Sequence, residues 1–320
     1  MTIDTNDWHQ HALVNKLQTL LLLLVMGSLM LLLGFLLWGR DGLVTLAITV
    51  VLLMLFNPRF APELIMQMYG AVPLSSHEAP MLHAAIQELS RRAGLDAAPG
   101  LYYIPSRMLN AFTVGGMQNA SIALTDGLLQ NLDSEEIVAV LAHEVSHIRN
   151  NDMGVMGLAD LFSRLTSLFS LFGQFLLIVN LPLFFLANVS INWFAIVLLI
   201  FSPVICALAQ LGLSRTREYH ADLNAVRLTG NPRGLVRALL KIEQVQNSWL
   251  EHLFLPGRKL PEPSLLRSHP PTDERVRRLM ELEVMENHFS PLIDAGTLRE
   301  LLQSRKVMRH PRWHITGLWH

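Results

Sequence analysis

The chain has 320 residues, of which 51% are hydrophobic and only 16% charged, and its mean hydropathy is +0.34. Soluble domains carry about 25% charge, so a large part of this chain belongs in lipid. With 25 basic against 26 acidic residues there is no electrostatic footing for nucleic acid, and one cysteine, Cys206, excludes a disulfide framework or a cysteine-type metal site within a single chain.

Residues 1–16 are polar and precede an uncharged segment, Leu17 to Trp38, built almost wholly of Leu, Met, Gly and Val. As a helix it is about 33 Å long, enough to cross a bilayer's hydrocarbon. The alternative is a cleaved signal peptide, for which a shorter apolar region, a basic start and a small-residue cleavage site are expected. After Gly39-Arg40-Asp41-Gly42 a second run, Leu43 to Phe56, is stopped by Asn57-Pro58-Arg59. That run is short for a span, about 21 Å, but the turn-forming link reads as a hairpin and points to a second crossing.

Between Arg59 and Arg164 charges recur regularly, as in an α+β domain. Pro80 to Leu95 sets Leu82, Ala85, Ile86 and Leu89 at helical spacing. Pro99 to Ile104, Asn110 to Gly116 and Ser121 to Thr125 read as short strands, the last two joined by a Gly-containing turn. Asn131-Leu132-Asp133 then opens a helix. Asp133 suits its N-cap, Glu136 completes a capping box, and Glu135 and Glu136 face the positive end of its dipole. Ile137, Leu141 and Ile148 form an apolar stripe, and the helix is predicted to end near Asn150-Asn151.

That helix carries His143-Glu144-Val145-Ser146-His147. Residues four apart share a helical face, so both imidazoles reach one metal ion. Glu144 projects from the adjacent edge, where it can take a proton from a water held by the metal. This is the HExxH pattern of zinc hydrolases. A random chain of this composition shows it roughly 0.02 times, and the bland alternative is a helix that happens to hold two histidines.

No Asp, Glu, Lys or Arg lies between Arg164 and Arg215. The stretch is long enough for two spans, roughly Leu165 to Leu186 and Ile191 to Leu213, joined around Ala187-Asn188-Val189-Ser190. Gln174, Asn180 and Pro182 read as packing or kink features, and the uncharged spans argue against a transporter. Beyond Leu213 the chain becomes polar and helical, with Gly234 to Leu253 and Glu274 to Met285 as further helices and Pro261 to Thr272 a Pro-rich loop.

Catalytic zinc takes three protein ligands and leaves a fourth position open. The best third ligand is Glu218, in Ser214-Arg215-Thr216-Arg217-Glu218-Tyr219-His220-Ala221-Asp222, because two crossings return it to the side of His143 and His147. Asp222, one turn on, either accepts the free N–H of a ligand imidazole or forms with Glu218 a solvated face paired with Arg215 and Arg217. His220 points to the other side of that helix. His269, in Ser268-His269-Pro270-Pro271, is either a functional loop histidine or a surface residue.

Together, the segments His143 to His147, Ser214 to Asp222, Asn110-Ala111-Phe112 and Ser268 to Pro271 resemble the HtpX-like integral-membrane zinc endopeptidases, relatives of the CAAX prenyl proteases. The resemblance covers roughly residues 65–280. It implies a fold that is α+β but mainly α, with about four membrane-embedded helices and a zincin-like catalytic domain carrying a small β-sheet. It also implies a gluzincin site with one zinc per chain: His143, His147 and Glu218 as ligands, Glu144 as general base and Asp222 supporting a ligand imidazole. Asn110, Ala111 and Phe112 fall on an edge strand where an extended substrate adds, and the His269 loop approaches the metal to stabilise the oxyanion or gate access.

The expected organisation is an N-terminal membrane hairpin (1–58), a first catalytic part (59–164), a second membrane hairpin (165–213), a second catalytic part (214–290) and a C-terminal tail (291–320). The expected activity is peptide-bond hydrolysis in damaged or misfolded membrane proteins. The alternatives are a narrower CAAX-type enzyme trimming a prenylated or lipid-linked peptide, and a silent scaffold holding clients on its edge strand. The expected partners are the lipid bilayer and membrane-protein or peptide substrates, with no nucleic acid. Arg149, Arg164, Arg215, Arg217 and Arg227 against Arg40 alone put the site on the cytoplasmic face, in a multi-pass protein of the bacterial inner membrane.

Overall fold

The structure, a computed structural model, describes residues 5–55, 62–186, 192–252 and 272–286. His269, most of the Pro-rich loop, the 187–190 link and the 291–320 tail lie outside these residues. The chain divides into two compact units, one drawn from residues 59–153 and 217 onward, the other from residues 6–58 and 154–216.

The first unit is built on a four-stranded sheet of order β1-β2-β4-β3, with β1 Val72–Pro73, β2 Gly100–Ile104, β3 Ala111–Val114 and β4 Ser121–Thr125. β4 runs parallel to β2, Gly100 opposite Ser121, and antiparallel to β3, which forms an edge with Ala111 opposite Leu124. Every residue of β4 is buried, as expected of a central strand covered on both faces. Alternation sends Ile122 and Leu124 to one face, where they pack with Ile86 and Leu89 of α3 (Pro80–Ala93) and Leu141 and Val145 of α5 (Ser134–Arg149). Ala123 faces the other way, into a small cluster with Ile104, Phe112 and Met66 of α2 (Pro62–Met68).

Local chemistry sets the helix ends. α3 begins with Pro80 in its first turn and stops at Gly94, which takes a left-handed conformation at φ 72°. After α4 (Asp126–Asn131), α5 opens with both bonds of its capping box formed: Asp133 Oδ1 accepts from Glu136 N–H at 2.9 Å, and Glu136 Oε2 accepts from Asp133 N–H at 2.8 Å. Glu136 is fully buried and its carboxylate also meets Lys241 of α8 (Pro232–His252) at 2.6 Å. α5 ends in a two-residue turn, Asn150 then Asn151 at φ 53°, the left-handed region that asparagine tolerates better than most residues. α6 (Asp152–Leu186) starts at the next residue; α9 (Thr272–Glu286) completes the first unit.

The second unit is helical. α1 (Thr5–Leu55) is interrupted at Trp38 and Gly39, and its two arms double back so closely that a Cβ on Gly42 would collide with the Gly34 backbone. Leu43 to Leu55 forms the second arm; Phe56 lies outside the described residues. In α7 (Trp193–Thr229), Pro203 removes the hydrogen bond to Leu199 O, and the Ser202 hydroxyl donates to that carbonyl instead, at 2.8 Å. Ser163 Oγ meets Gln210 Oε1 at 2.6 Å, a polar tie between α6 and α7.

Leu17–Leu46, Asp152–Pro182 and Trp193–Thr229 are the three described helices long and apolar enough to cross a membrane. Leu168, Leu171, Phe175 and Ile178 of α6 and Phe194, Phe201 and Leu208 of α7 are exposed, a surface suited to hydrocarbon. The uncharged stretches are parts of longer helices: α6 begins well before Leu165, and α7 continues past Leu213 to Thr229. Charged residues end a membrane span without ending a helix, and no Gly or Pro interrupts the chain from Leu213 until Gly230, at φ 65°.

Candidate metal centre

His143 and His147, one turn apart on α5, are buried with their Nε2 atoms 3.1 Å apart. Glu218, from the C-terminal part of α7, brings Oε2 to 3.5 Å from His143 Nε2 and Oε1 to 3.7 Å from His147 Nε2. The outer nitrogens are engaged by aspartates. His143 Nδ1 lies 3.0 Å from Asp222 Oδ1, and His147 Nδ1 lies 2.8 Å from Asp152 Oδ2. A carboxylate beside Nδ1 favours the tautomer that carries its proton there and turns the Nε2 lone pair inward; His147 makes that hydrogen bond to Asp152, whereas His143 Nδ1 lies close to Asp222 without hydrogen-bond alignment.

Two such lone pairs beside a carboxylate repel unless a cation sits among them. Donors held about 2.0–2.1 Å from one tetrahedral ion stand about 3.3 Å apart, close to the spacing here. The surrounding charge agrees. Arg275 of α9 grips Asp222 with two bonds, at 2.7 and 2.6 Å, and comes within 3.2 Å of Glu218, while Arg217 meets Asp152 at 2.6 Å. Glu144, Glu218, Asp152 and Asp222 against Arg217 and Arg275 leave two negative charges, which a divalent cation offsets.

Proton binding reports the same preference. Burial works against a charged His143, but Asp222 and Glu218 outweigh it and push the imidazole up to about 10. Burial opposes the charge on His147 too, yet Asp152 holds it above its ordinary range. Burial would raise Asp222, but Arg275 and His143 keep it below the usual carboxylate range. The site thus favours positive charge between its acids, and a metal ion bound there would displace protons from the two imidazoles.

Glu144 turns toward β3, where Thr113 Oγ1 donates to its Oε2 at 2.6 Å. Asn110 precedes β3 and accepts from Thr125 N–H at 3.1 Å, so ladder alternation turns Phe112 and Val114 toward β4 and leaves the N–H and C=O of Ala111 and Thr113 facing the open edge. The Phe112 side chain is buried among Met66, Ile104 and Ala123, its ring 5.2 Å from that of Tyr69, so the edge of this strand presents main-chain groups rather than the aromatic ring.

His143, Glu144, His147, Glu218 and Asp222, all singled out from the sequence, therefore lie together. His220 is held by Asn150 at 2.9 Å. Asp222 pairs with Arg275, and Arg217 with Asp152, rather than the two pairing with each other. Sequence reasoning missed Asp152, Arg275, Arg217 as its partner, and Thr113. Asp152 stands just past the expected helix end, and Arg275 lies on the segment that follows His269-Pro270-Pro271.

Residues 76–283 match the profile of peptidase family M48. The chain belongs to this family. It is 32% identical to a protease HtpX homolog of Pyrococcus abyssi over 83% of this chain and 95% of that protein. It is 31% identical to one of Sulfurihydrogenibium sp. (84% and 97% covered) and 33% identical to one of Aquifex aeolicus (80% and 89%). A crystal structure of S. mikatae Ste24p is similar at 24% identity and a TM-score of 0.48, covering 84% of this chain and 66% of that one. This M48 chain is an integral-membrane metallopeptidase, and His143, His147 and Glu218 form the group that can hold its metal among the described residues.

Proposed function

We propose that this M48 peptidase is a zinc-dependent endopeptidase that cleaves damaged or misfolded membrane proteins. The observation that carries the zinc reading is the pair of inward-facing Nε2 atoms, each backed by an aspartate on Nδ1 and closed off by Glu218. Two imidazoles and one carboxylate, with a further position open, suit zinc better than harder cations, which prefer all-oxygen ligands. Bound there, zinc supplies Lewis-acid polarisation of the scissile carbonyl and a lowered water pKa.

The chain's own residues do the rest. His143, His147 and Glu218 hold the ion. Asp222 and Asp152 fix the two rings, and Arg275 and Arg217 fix the aspartates. Glu144 accepts a proton from the attacking water as the water oxygen bonds to the carbonyl carbon, then returns it to the leaving nitrogen as the C–N bond breaks. A peptide added to the open edge of β3 pairs with Ala111 and Thr113 through main-chain atoms. Such pairing reads extended backbone rather than side-chain identity, which favours a locally unfolded substrate of broad sequence over one prenylated peptide.

The site faces the cytoplasm of a bacterial inner membrane in this reading. Arg149, Arg164, Arg215 and Arg227 flank the helices that carry the site, whereas the turn within α1 has Arg40 alone.

The test is zinc analysis of the purified full chain together with cleavage of a membrane-protein substrate, with and without chelator. One zinc per chain, chelator-sensitive cleavage, and a Glu144→Gln variant that keeps zinc but loses cleavage are expected. Full proteolysis by Glu144→Gln, or cleavage indifferent to the chelator, would overturn the reading.

A further inference from the structure

We propose that Thr113 is the positioning residue for Glu144, and that it sets the base and the substrate strand in a single register. The proposal rests on the reading of Glu144 as proton acceptor and of β3 as the substrate edge. The bond from Thr113 Oγ1 to Glu144 Oε2 is short, 2.6 Å, and both side chains are buried, at 4% and 8% exposure. A hydroxyl donating to a carboxylate in such surroundings makes a charge-assisted bond about twice as strong as a neutral one. It is the one hydrogen bond that the Glu144 carboxylate makes among the described residues. With Oε2 anchored, Oε1 is the oxygen left to take and return the proton.

Thr113 is also placed to link two events. On an edge strand one residue presents its side chain to a sheet face and its main chain to the open edge. The side chain of Thr113 points to α5, while its N–H and C=O face outward, where a peptide would pair. The residue that receives the substrate backbone is thus the residue that orients the base, with no intervening side chain. Valine has the same shape and β-propensity but no hydroxyl, and serine keeps the hydroxyl; the two variants separate hydrogen bonding from packing.

The experiment compares the zinc-loaded full chain with its Thr113→Val, Thr113→Ser and Glu144→Gln variants, using kcat and KM on an unfolded membrane-protein substrate and zinc affinity by chelator competition. Thr113→Val is expected to lower kcat about ten- to a hundredfold, the loss of one hydrogen bond to a charged group, while KM and zinc affinity stay within about twofold. Thr113→Ser is expected to hold kcat within about threefold of the parent, because the donor is retained. Thr113→Ala replaces the valine variant if that one does not fold. A hydroxyl-free variant with parental kcat, a serine variant as slow as valine, or a kcat loss accompanied by zinc loss would each overturn the proposal. If Glu144→Gln is inactive while Thr113→Val is unaffected, only the role of Thr113 fails. If Glu144→Gln cleaves normally, the underlying reading of Glu144 fails.

Discussion

Arg275 shows how much of the candidate site rests on groups that touch no metal. Its guanidinium is 5% exposed and lies against Asp222 and Glu218, so removing it leaves two buried carboxylates with the His143 ring alone to offset their charge. Breaking a buried pair from one side costs about 3–5 kcal/mol. Arg275→Met is therefore expected to lower the thermal midpoint of the metal-free protein sharply, with zinc recovering part of the loss because the ion supplies positive charge at the same place. Equal midpoints for the parent and the variant without metal would refute this role. The ligand spacing was legible because His143 and His147, and likewise Glu218 and Asp222, are one helical turn apart, a purely local relation. Arg275 and Thr113 were not, because each meets the site from a remote element, and nothing in their own neighbourhoods marks them.

At the scale of elements, α5 shows why its ends were readable. Cap chemistry is written in four consecutive residues, and Asp133 and Glu136 form both bonds of the box. Asp133→Ala is expected to destabilise the protein by about 1 kcal/mol in chemical denaturation, with Asp133→Asn retaining most of the stability because asparagine caps nearly as well. An alanine variant as stable as the parent would show that packing against α8 alone holds the helix start. α3, β2, β3 and β4 were similarly visible from periodicity. β1, with two residues, and the short α2 and α4 carry too little pattern to be seen. α6 and α7 were underestimated because a hydropathy reading ends where charge begins, whereas a helix ends where its hydrogen bonds do.

At the scale of the whole molecule, the first unit is assembled from stretches separated in sequence by the helices of the second. That Glu218 belongs with His143 and His147 followed from counting crossings, a topological argument that needs no contact information. The proposed orientation rests on a different count, that of the arginines beside the spans. A reporter fused after residue 286 is expected to be active only if it functions in the cytoplasm; one that matures only after export would reverse the assignment.

Within α7, Glu218 and Asp222 lie one turn apart on the face that meets His143. The spacing of the two acids is therefore quantised. One residue added between Glu218 and Asp222 would turn Asp222 by about 100° away from the face that Glu218 keeps, and one lost would turn it as far the other way. Many point changes in that stretch leave the phase intact, and no single insertion or deletion does. This portion of the chain is open to drift in spelling but closed to drift in length.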